Sequence, residues 1–596
     1  MNKFNLLFIS LFISVLAYAT PAKPTLVKVL QPDGNELFIR LNGDENFHYT
    51  TTEDGILIKK NTQNFYEYAI INQNGKISLT GITAKQAKLR TKSENDLLKN
   101  LNSDVSLGNL ATKIIAERAE IKMQKIKSAA MPAKTNAVGE KGIAILVNFS
   151  NNAFVTPNAN TAFHNLLNKK GYNVNNSIGS ARDYFIATSD SIFQPSFDVY
   201  GPYTLPNNMK YYGEDYGSLG NDRRPEQMVM DACSLANTDV DFSQYDTDGD
   251  GYVDNVFIFY AGYGQATTGV SSDAIWPHRF VVASQPRFDG VKVYDYACGS
   301  ELKGNSGSTI EGIGTFCHEF SHVLGLPDLY NTANQYDNNT PGSWDIMDNG
   351  CYNGDGDVPA MYSAYEMFYV GWLTPEILTE CDNYQLEPLE NSPKKAYLVA
   401  KSENHNLNGK NPNATEFYML ENRQKISFDV KLPGSGLLVT RINFNSAKWN
   451  ENTVNNSTLK GVEIINKTAL PTLTHTSCNF ESAASGNDKD WKKNITQISN
   501  IQQITGFKYN KNNCAMLISE QEYDKIKVIY QQNSWKILIE NKKYFAEIYN
   551  INGILVKSTQ FFGETEIINK ELQKGVYILK ISDLDNKKIL FSKVVK

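Results

Sequence analysis

The sequence predicts a multidomain chain in which one α/β domain lies between β-rich regions. Three observations lead to this fold class: a length of 596 residues, alternating apolar and polar residues before about residue 100 and after residue 396, and mixed helix and strand patterns between them. At roughly 100–200 residues per domain, about three to five domains are expected. A hydrophobic fraction of 41% and a charged fraction of 20% are ordinary for a folded protein.

The beginning of the chain predicts export. Lys3 supplies a positive charge, Leu6–Leu16 forms an apolar core, and Ala17–Ala19 has the small-x-small pattern of a cleavage site. We therefore predict a signal peptide over residues 1–19. The alternative, a transmembrane anchor, requires a longer apolar run than this one, and no later segment supplies such a run. The mature protein is expected to have no transmembrane anchor.

Residues 20–135 predict a small β-rich propeptide. Short segments of alternating apolar and polar residues are separated by turn signals such as Pro32–Gly34 and Asn74–Gly75. A charged stretch rich in alanine and lysine begins near Lys85 and ends in the linker Ser128–Lys134, which we expect to be accessible to proteases. The composition is also compatible with a permanent accessory domain, so that alternative stays open.

Residues 136–395 predict the α/β domain. Gly142–Phe149 and Val256–Ala261 have the apolar runs of buried strands, whereas Pro225–Ala236 and Ile310–Leu324 have helical spacing. Strands and helices that alternate along a chain are typical of a sheet covered by helices.

A zinc motif lies in the second of these helical stretches. His318 and His322 are four residues apart, so one helix face carries both imidazoles, and Glu319 stands beside them. Two neutral nitrogen ligands and an adjacent carboxylate are what a zinc hydrolase requires, because the carboxylate can act as base for the water that the metal activates. Histidines on an ordinary helix are the alternative interpretation.

The residues after this helix complete the predicted site. Gly325 can adopt the left-handed conformation of a helix cap and Pro327 cannot continue a helix, so the turn brings Asp328 back towards the histidines as a third ligand. Met347 follows shortly and is predicted to lie under the metal as a hydrophobic floor. Tyr352 is near enough in sequence to reach the site, and we predict that it stabilises an oxyanion.

An acidic loop upstream predicts a structural calcium site. Oxygen ligands recur at alternate positions, and Gly251 permits the sharp turn that such loops contain. The twelfth position holds Phe257 rather than the bidentate glutamate of a complete EF-hand, and a strand follows, so we predict a structural site rather than a sensor. A solvated acidic turn is the alternative. The predicted ligands are the side chains of Asp246, Asp248, Asp250 and Asp254 and the backbone carbonyl of Tyr252.

Two β-rich regions follow the α/β domain. Strand patterns separated by loops rich in asparagine and glycine predict a β-sandwich over residues 396–520, and a second set predicts a C-terminal Ig-like β-sandwich over residues 521–596. The chain has seven cysteines, an odd count that leaves at least one unpaired within the chain. Their pairing cannot be deduced from the sequence.

With these motifs, the sequence resembles the immune inhibitor A family of secreted bacterial metallopeptidases. The resemblance implies a metzincin-like catalytic domain, a zinc site of two histidines and one aspartate, bound calcium and a removable propeptide. It spans roughly residues 25–510 and is carried by Gln31–Gly34, Gly43–Glu45, Tyr245–Gly251, Ile275–His278, His318–Asp328, Trp344–Met347, Tyr365–Trp372, Glu421–Arg423 and Leu432–Gly434.

The stretch from about Lys525 to the end resembles the C-terminal sorting domain of type IX secretion in Bacteroidota. Lys574–Lys580 and the terminal Lys593–Lys596 carry this resemblance. It implies export through the periplasm of a Gram-negative bacterium with the secretion machinery as a partner, followed by release or attachment at the cell surface.

Together these features predict a secreted, zymogenic, zinc-dependent endopeptidase that hydrolyses peptide bonds in extracellular proteins. Glu319 would assist the attack of a zinc-bound water, and protein or peptide substrates would align as an added strand, with Val291–Tyr296 as one candidate edge. The propeptide has no cysteine, so latency would use a propeptide carboxylate or simple occlusion of the cleft.

The alternative function is a calcium-stabilised surface binding protein with a non-catalytic zinc site. Structural zinc sites usually have four protein ligands, whereas the sequence offers three. A nucleic-acid partner is not expected, because the formal net charge is −6 and no basic run occurs.

Overall fold

The structure, a computed structural model, describes most of the chain. The described residues are 18–71, 77–101, 140–215, 222–268, 273–305, 307–334, 337, 339–402, 404–465, 477–481, 490–501, 503–511, 527–531, 534–539, 542–551, 553–584 and 589–596. Most of the predicted signal peptide, the Asn74–Gly75 turn and the predicted linker Ser128–Lys134 lie outside the described residues. Among the described residues, no helix combines the length and the apolar character needed to cross a membrane.

The N-terminal region is a six-stranded antiparallel meander. Buried residues alternate along its strands, as for Leu37, Ile39 and Leu41, because successive side chains point to opposite faces. The buried face packs against Ala266 and Trp276 of the next region. The strands, in spatial order, are β2 (Val27–Leu30), β3 (Glu36–Gly43), β4 (His48–Thr52), β5 (Leu57–Lys60), β6 (Tyr66–Ile71) and β7 (Ile77–Thr83), followed by helix α1 (Lys92–Leu101).

A second six-stranded sheet forms the centre of the α/β region. Its strands, in spatial order, are β1 (Tyr18–Ala19), β11 (His278–Val281), β14 (Asp295–Leu302), β10 (Val256–Tyr263), β8 (Lys141–Asn148) and β9 (Ser196–Thr204). The last four are parallel, β11 is antiparallel to β14, and β1 adds antiparallel to the outer side of β11. The N-terminal strand therefore covers what is otherwise the edge of this sheet.

The prediction that Val291–Tyr296 forms an edge strand is wrong. The stretch is divided between β13 (Val291–Lys292), which pairs with β12 (Arg287–Phe288), and the start of β14. Because β11 pairs with the outer side of β14, and β1 pairs with the outer side of β11, β14 is an inner strand of the main sheet.

Helices cover both faces of the central sheet. Ala144 and Leu146 of β8 face a core that includes the zinc-motif helix, whereas Ile143 and Ile145 face the opposite core. The helices of this region are α2 (Ala159–Asn168), α3 (Ala181–Thr188), α4 (Met209–Gly213), α5 (Pro225–Ala236), α6 (Gln265–Thr268), α7 (Ile313–Val323) and α8 (Ala364–Val370).

Two facing sheets follow. The first, in spatial order, consists of β15 (Glu376–Ile377), β17 (Tyr397–Ala400), β18 (Glu416–Arg423), β19 (Gly436–Asn443) and β20 (Val462–Ile464), and the segment between β19 and β20 contains helix α9 (Ser446–Asn450). The second consists of β16 (Asn383–Leu386), β23 (Ile504–Lys511), β22 (Asp490–Ile501) and β21 (Ser477–Glu481). Tyr418 and Leu420 pack towards the second sheet, whereas Phe417 and Met419 pack into the core of the α/β region.

The C-terminal region also contains two sheets, with Trp535, Tyr544 and Leu579 in a shared core. One has the order β24 (Lys527–Gln531), β25 (Ser534–Leu538) and β28 (Thr565–Ile568), and the other has the order β27 (Leu555–Phe562), β26 (Lys543–Asn550), β29 (Val576–Asp583) and β30 (Ile589–Val595). The chain is thus a multidomain mixture of α/β and β structure. The free cysteines among the described residues are Cys233, Cys298, Cys317 and Cys351, all buried, and Cys381 is disulfide-bonded.

Candidate active site

Helix α7 carries the zinc motif and is buried along its whole length. Its beginning lies against the irregular segment Asn349–Gly356, where a Cβ added at Gly314 would come within 2.0 Å of the Cys351 carbonyl oxygen. Glycine is therefore required for this close approach. The helix ends as the sequence predicts: Gly325 has a φ of +98°, and Leu326 N–H donates to the Ser321 carbonyl at 3.1 Å.

The structure brings the three predicted zinc ligands together. His318 Nε2 lies 3.2 Å and His322 Nε2 3.3 Å from the same oxygen, Asp328 Oδ1, and the two Nε2 atoms are 3.2 Å apart. Both rings are oriented by backbone carbonyls, because His318 Nδ1 contacts Ile346 O and His322 Nδ1 contacts Leu326 O, each at 2.7 Å. A carbonyl can only accept, so each Nδ1 carries a proton, and each Nε2 is the ring nitrogen that faces Asp328 and is available to a metal.

These residues fit a zinc ion. The three side chains are almost completely buried, and their ligand atoms lie within 4.8 Å of one another. Among the described residues, none donates a hydrogen bond to Asp328 Oδ1, although this oxygen is buried. A buried carboxylate oxygen beside two imidazole nitrogens suits a bound cation. Two nitrogen ligands and one oxygen ligand from the protein are the pattern of catalytic zinc sites.

The turn Trp344–Asp348, which contains Met347 and is here called the methionine turn, lies directly against these ligands. Leu329 N–H, next to Asp328, donates to the Met347 carbonyl at 2.8 Å, and Ile346 supplies the carbonyl that orients His318. The side chain of Met347 is fully buried, and Asp345 Oδ1 accepts the Met347 N–H at 2.8 Å. The turn therefore fixes the two ends of the zinc motif relative to each other.

The charges of the buried side chains influence one another. Burial raises the pKa of Asp328, but His322 and His318 outweigh burial and hold that pKa below its ordinary value. Burial lowers the pKa of His318, but the negative charges of Glu319 and Asp328 outweigh it and raise the pKa to about 9. Burial lowers the pKa of His322, and Asp328 offsets this only in part. Asp328 therefore stays ionised, as metal ligation requires.

Glu319, the predicted catalytic base, is in contact with the beginning of the described chain. Its Oε1 accepts hydrogen bonds from the Thr20 N–H at 2.6 Å and from Thr20 Oγ1 at 2.5 Å. Burial raises the pKa of Glu319 to about 8, although His318 and the hydrogen bonds from Thr20 act in the opposite direction. Thr20 itself is fully buried.

The segment around Thr20 lies along the cleft as an extended strand. Ala19 pairs with His278 of β11, Trp276 Nε1 donates to the Thr20 carbonyl at 2.9 Å, and Tyr352 Oη donates to the Pro21 carbonyl at 2.6 Å. The predicted oxyanion residue thus contacts a main-chain carbonyl of this segment. His278 is buried between Trp276 and Tyr296 and takes a structural place in β11.

Two regions far from the zinc motif also reach it, and sequence reasoning missed both. Thr20 is 299 residues from Glu319, and Asn452, after helix α9, is 124 residues from Asp328. Trp276 lies in Ile275–His278, one of the stretches that carry the family resemblance. This motif could therefore have indicated that Trp276 lies near the site. Neither Thr20 nor Asn452 belongs to a motif that marks it.

The acidic loop brings together three of its four predicted carboxylates. Ligand oxygens of Asp246, Asp248 and Asp254 lie within 4.8 Å of one another, and each residue is partly buried. Asp246 Oδ1 is buried without a hydrogen-bond partner among the described residues, which suits a bound cation. Asp250 lies outside this group, and its Oδ1 accepts the N–H of Tyr252 at 2.9 Å.

Comparison with known proteins indicates a metallopeptidase domain. The family model described as "Immune inhibitor A peptidase M6, catalytic domain" matches residues 139–372. The chain is 28% identical over 283 residues to the Pre-pro-metalloprotease PrtV of Vibrio cholerae, covering 41% of this chain and 29% of that protein. It is 31% identical over 187 residues to Immune inhibitor A of Bacillus thuringiensis subsp. alesti, covering 27% of each protein.

The matches therefore cover less than a third of the length of these relatives. The residues matched by the family model include the acidic loop, helix α7, Asp328 and the methionine turn, but neither Thr20 nor Asn452.

Proposed function

From the premise that residues 139–372 form a metallopeptidase domain of the immune inhibitor A type, we propose that the chain is a zinc-dependent endopeptidase acting on proteins outside the cell. The observation that carries this proposal is that the side chains of His318, His322 and Asp328 converge on one point. Glu319 directly follows His318 in the same helix. The alternative of a binding protein with a non-catalytic zinc site is not favoured, because the matched domain is a peptidase domain.

In the proposed mechanism, His318, His322 and Asp328 would hold zinc. When bound, zinc supplies a Lewis acid that acidifies water and polarises a peptide carbonyl. Glu319 accepts the proton of the attacking water and returns it to the nitrogen of the leaving amine. Burial raises the pKa of Tyr352 well above its ordinary value, so its hydroxyl stays neutral and can donate to a substrate carbonyl, as it does to Pro21.

The substrate is proposed to take the place of the N-terminal segment. Strand β1 uses the hydrogen bonds that β11 can offer to any extended chain, and Trp276 and Tyr352 donate to two successive carbonyls of that segment. Backbone recognition of this kind selects an extended conformation rather than particular side chains. Peptide bonds in extended or unfolded protein segments are therefore the expected substrates.

The same segment is proposed to keep the enzyme latent. The Thr20 N–H and hydroxyl both donate hydrogen bonds to Glu319 Oε1. Removal of a propeptide over residues 20–135 would remove Thr20 and free this oxygen. Of the two latency devices that the sequence allows, these contacts favour occlusion of the cleft, because the group that meets Glu319 is Thr20. The nearby propeptide carboxylate of Asp44 accepts a hydrogen bond from Tyr330 Oη at 3.4 Å. Cleavage of the predicted signal peptide after Ala19 would remove strand β1, so the proposed occlusion rests on the contacts of Thr20 and Pro21. The same cleavage would turn the Thr20 N–H into an ammonium group and strengthen its contact with Glu319 by charge.

The remaining proposals concern calcium and export. A calcium ion held by Asp246, Asp248 and Asp254 would stabilise the loop before β10. The buried Asp246 Oδ1, which has no hydrogen-bond partner among the described residues, supports this proposal.

The proposal of export rests on the signal-peptide pattern of residues 1–19 and on the "Pre-pro" in the name of the Vibrio cholerae relative. Type IX secretion, with release or surface attachment, rests on the resemblance of the last residues to a sorting domain.

The test of the proposed function is the substitution Glu319→Ala. After limited trypsin treatment to remove the propeptide and quenching with a serine-protease inhibitor, we expect casein cleavage to fall by roughly 10²–10⁴-fold, the contribution of a general base. Zinc content, measured by mass spectrometry, is expected to stay at one ion per chain or close to it. Glu376→Ala, at an exposed glutamate, is the matched control. Casein cleavage by Glu319→Ala at the wild-type rate would refute the mechanism.

A further inference from the structure

We propose that Asn452, which comes from the region after the peptidase domain, is a positioning residue for Asp328. The inference deepens the proposed function and rests on it, because it takes Asp328 as a metal ligand. It adds that the zinc site of this chain is completed from outside the residues matched by the family model.

The contact is a pair of hydrogen bonds between two buried residues. Asn452 Nδ2 donates to Asp328 Oδ2 at 2.6 Å, and Asn452 Oδ1 accepts the Asp328 N–H at 2.7 Å. Asp328 is fully buried and Asn452 is 6% exposed. One amide therefore fixes both the backbone and the carboxylate of Asp328. It contacts the carboxylate at Oδ2, while Oδ1 of Asp328 faces the two histidines.

Only an amide of this length serves both bonds. A backbone N–H can only donate and an ionised carboxylate can only accept, so the orientation of the Asn452 amide is determined by its two partners. An aspartate at this position would place a second negative charge against Asp328, and an alanine would leave a buried carboxylate oxygen without a donor. Asn452 also has a φ of +51°, a left-handed conformation that asparagine tolerates better than most residues.

Two neighbouring asparagines hold the same stretch without touching Asp328. Asn455 Nδ2 donates to the Leu329 carbonyl at 2.6 Å, and Asn456 Oδ1 accepts the Thr332 N–H at 2.9 Å. Asn455 Oδ1 in turn accepts the N–H groups of Gly461 and Val462 at 3.0 Å, which ties the loop to the start of β20. The loop 452–456 thus follows the backbone 328–332, and Asn452 alone of its three asparagines meets the ligand side chain.

The arrangement gives each ligand an orienting partner. Backbone carbonyls orient the two histidines, and Asn452 orients the aspartate. Partners of metal ligands of this kind typically change metal affinity by about 10–100-fold when they are removed. Metal affinity, rather than catalysis, is therefore the property that Asn452 controls most directly.

The test uses the full chain and the substitutions Asn452→Gly and Asn452→Asp. Glycine removes the amide and tolerates the left-handed backbone. Aspartate keeps the shape of the side chain but replaces the Nδ2 donor with an oxygen that can only accept. We expect the zinc dissociation constant, measured by competition with a chromophoric chelator, to rise about 10–100-fold in both variants. The visible spectrum of the cobalt-substituted protein should shift as well, because the orientation of one ligand changes.

Asn456→Ala is the matched structural control, because it loosens the same loop at Thr332 without a contact to Asp328. It is expected to lower the thermal unfolding midpoint and to leave zinc affinity within threefold of wild type. Equal effects of Asn452→Gly and Asn456→Ala on zinc affinity and on the cobalt spectrum would overturn the proposal. If the glycine variant does not fold, wild-type zinc affinity in Asn452→Asp would overturn it. A wild-type chain that binds no zinc would instead refute the proposed function, and this inference with it.

Discussion

The acidic loop and the three predicted zinc ligands His318, His322 and Asp328, here called the zinc group, each bring three side chains that could hold a metal within 4.8 Å of one another, but they are stabilised differently. In the acidic loop, the carboxylates of Asp246 and Asp254 accept hydrogen bonds from Gly251 and Thr247, within the same nine residues. In the zinc group, the side chains are oriented by Ile346, Leu326 and Asn452, and the adjacent Glu319 is held by Thr20.

The difference shows which kind of metal site depends on the whole fold. A partly exposed loop with local hydrogen bonds can close around an ion as an independent element. A buried group costs desolvation free energy unless its geometry is set in advance, so distant segments must hold it. Changes in distant segments should therefore affect the zinc group and leave the acidic loop unchanged.

The largest expected effect concerns the N-terminal segment. Thr20→Val removes one of the two hydrogen bonds to the Glu319 carboxylate and keeps the side-chain shape. Above pH 8, where Glu319 is ionised, a hydrogen bond to its carboxylate is worth about 1.5–3 kcal/mol, so the fraction of chains with an open cleft should rise by roughly 10–150-fold. Cleavage of a fluorogenic peptide by the full chain before propeptide removal measures this fraction.

Thr25→Val, at an exposed threonine of the same segment, is the control for the N-terminal substitution. Calcium-dependent stability is expected to be the same in both variants. If Thr20→Val were as inactive as the unprocessed wild type, the occlusion model and with it the contrast between the two groups would fail.

A smaller effect is expected at the acidic loop. Asp248→Ala should abolish the stabilisation that calcium provides, which at about 100 times the dissociation constant amounts to roughly 2.7 kcal/mol. Thermal unfolding with and without calcium measures it, and zinc content should be unchanged because no zinc ligand is involved. A loss of zinc together with calcium would show that the two groups are coupled rather than independent.

The smallest effect is expected for Tyr352→Phe. Loss of one neutral hydrogen bond to a substrate carbonyl costs about 1 kcal/mol, or roughly fivefold in kcat/KM. With the N-terminal segment in place, burial keeps the pKa of Tyr352 well above its ordinary value, and a substrate that takes the place of this segment is expected to keep the hydroxyl protonated as the pH rises towards 10. The kcat/KM profiles of wild type and variant should therefore run parallel between pH 6 and pH 10. An alkaline decline present only in the wild type would contradict this assignment.

The sequence is most informative where the site is local. The four-residue spacing of His318 and His322, and a glycine suited to φ > 0 at position 325, are enough to predict that Asp328 returns to the histidines. Asp250 was predicted as a ligand from alternation alone, but the alternation does not distinguish it from the carboxylates that the structure groups together.

Residues supplied from a distance could not be predicted. Thr20 and Asn452 carry no pattern of their own, because a threonine after a signal peptide and an asparagine in an asparagine-rich loop are common. Val291–Tyr296 was predicted as one candidate edge strand, because an apolar alternating stretch does not reveal its neighbours. Only the pairing of β1, β11 and β14 decides which strand is outermost.

Strand β18 has a consequence for how this gene can change. Phe417 and Met419 pack into the core of the α/β region, whereas Tyr418 and Leu420 pack into the core between the two sheets that follow. Successive residues of one strand therefore belong alternately to two cores. Recombination at the predicted boundary near residue 395 would separate a catalytic domain from half of its packing partners and from Asn452. The two regions are therefore expected to be inherited together and to accumulate compensating substitutions across that boundary.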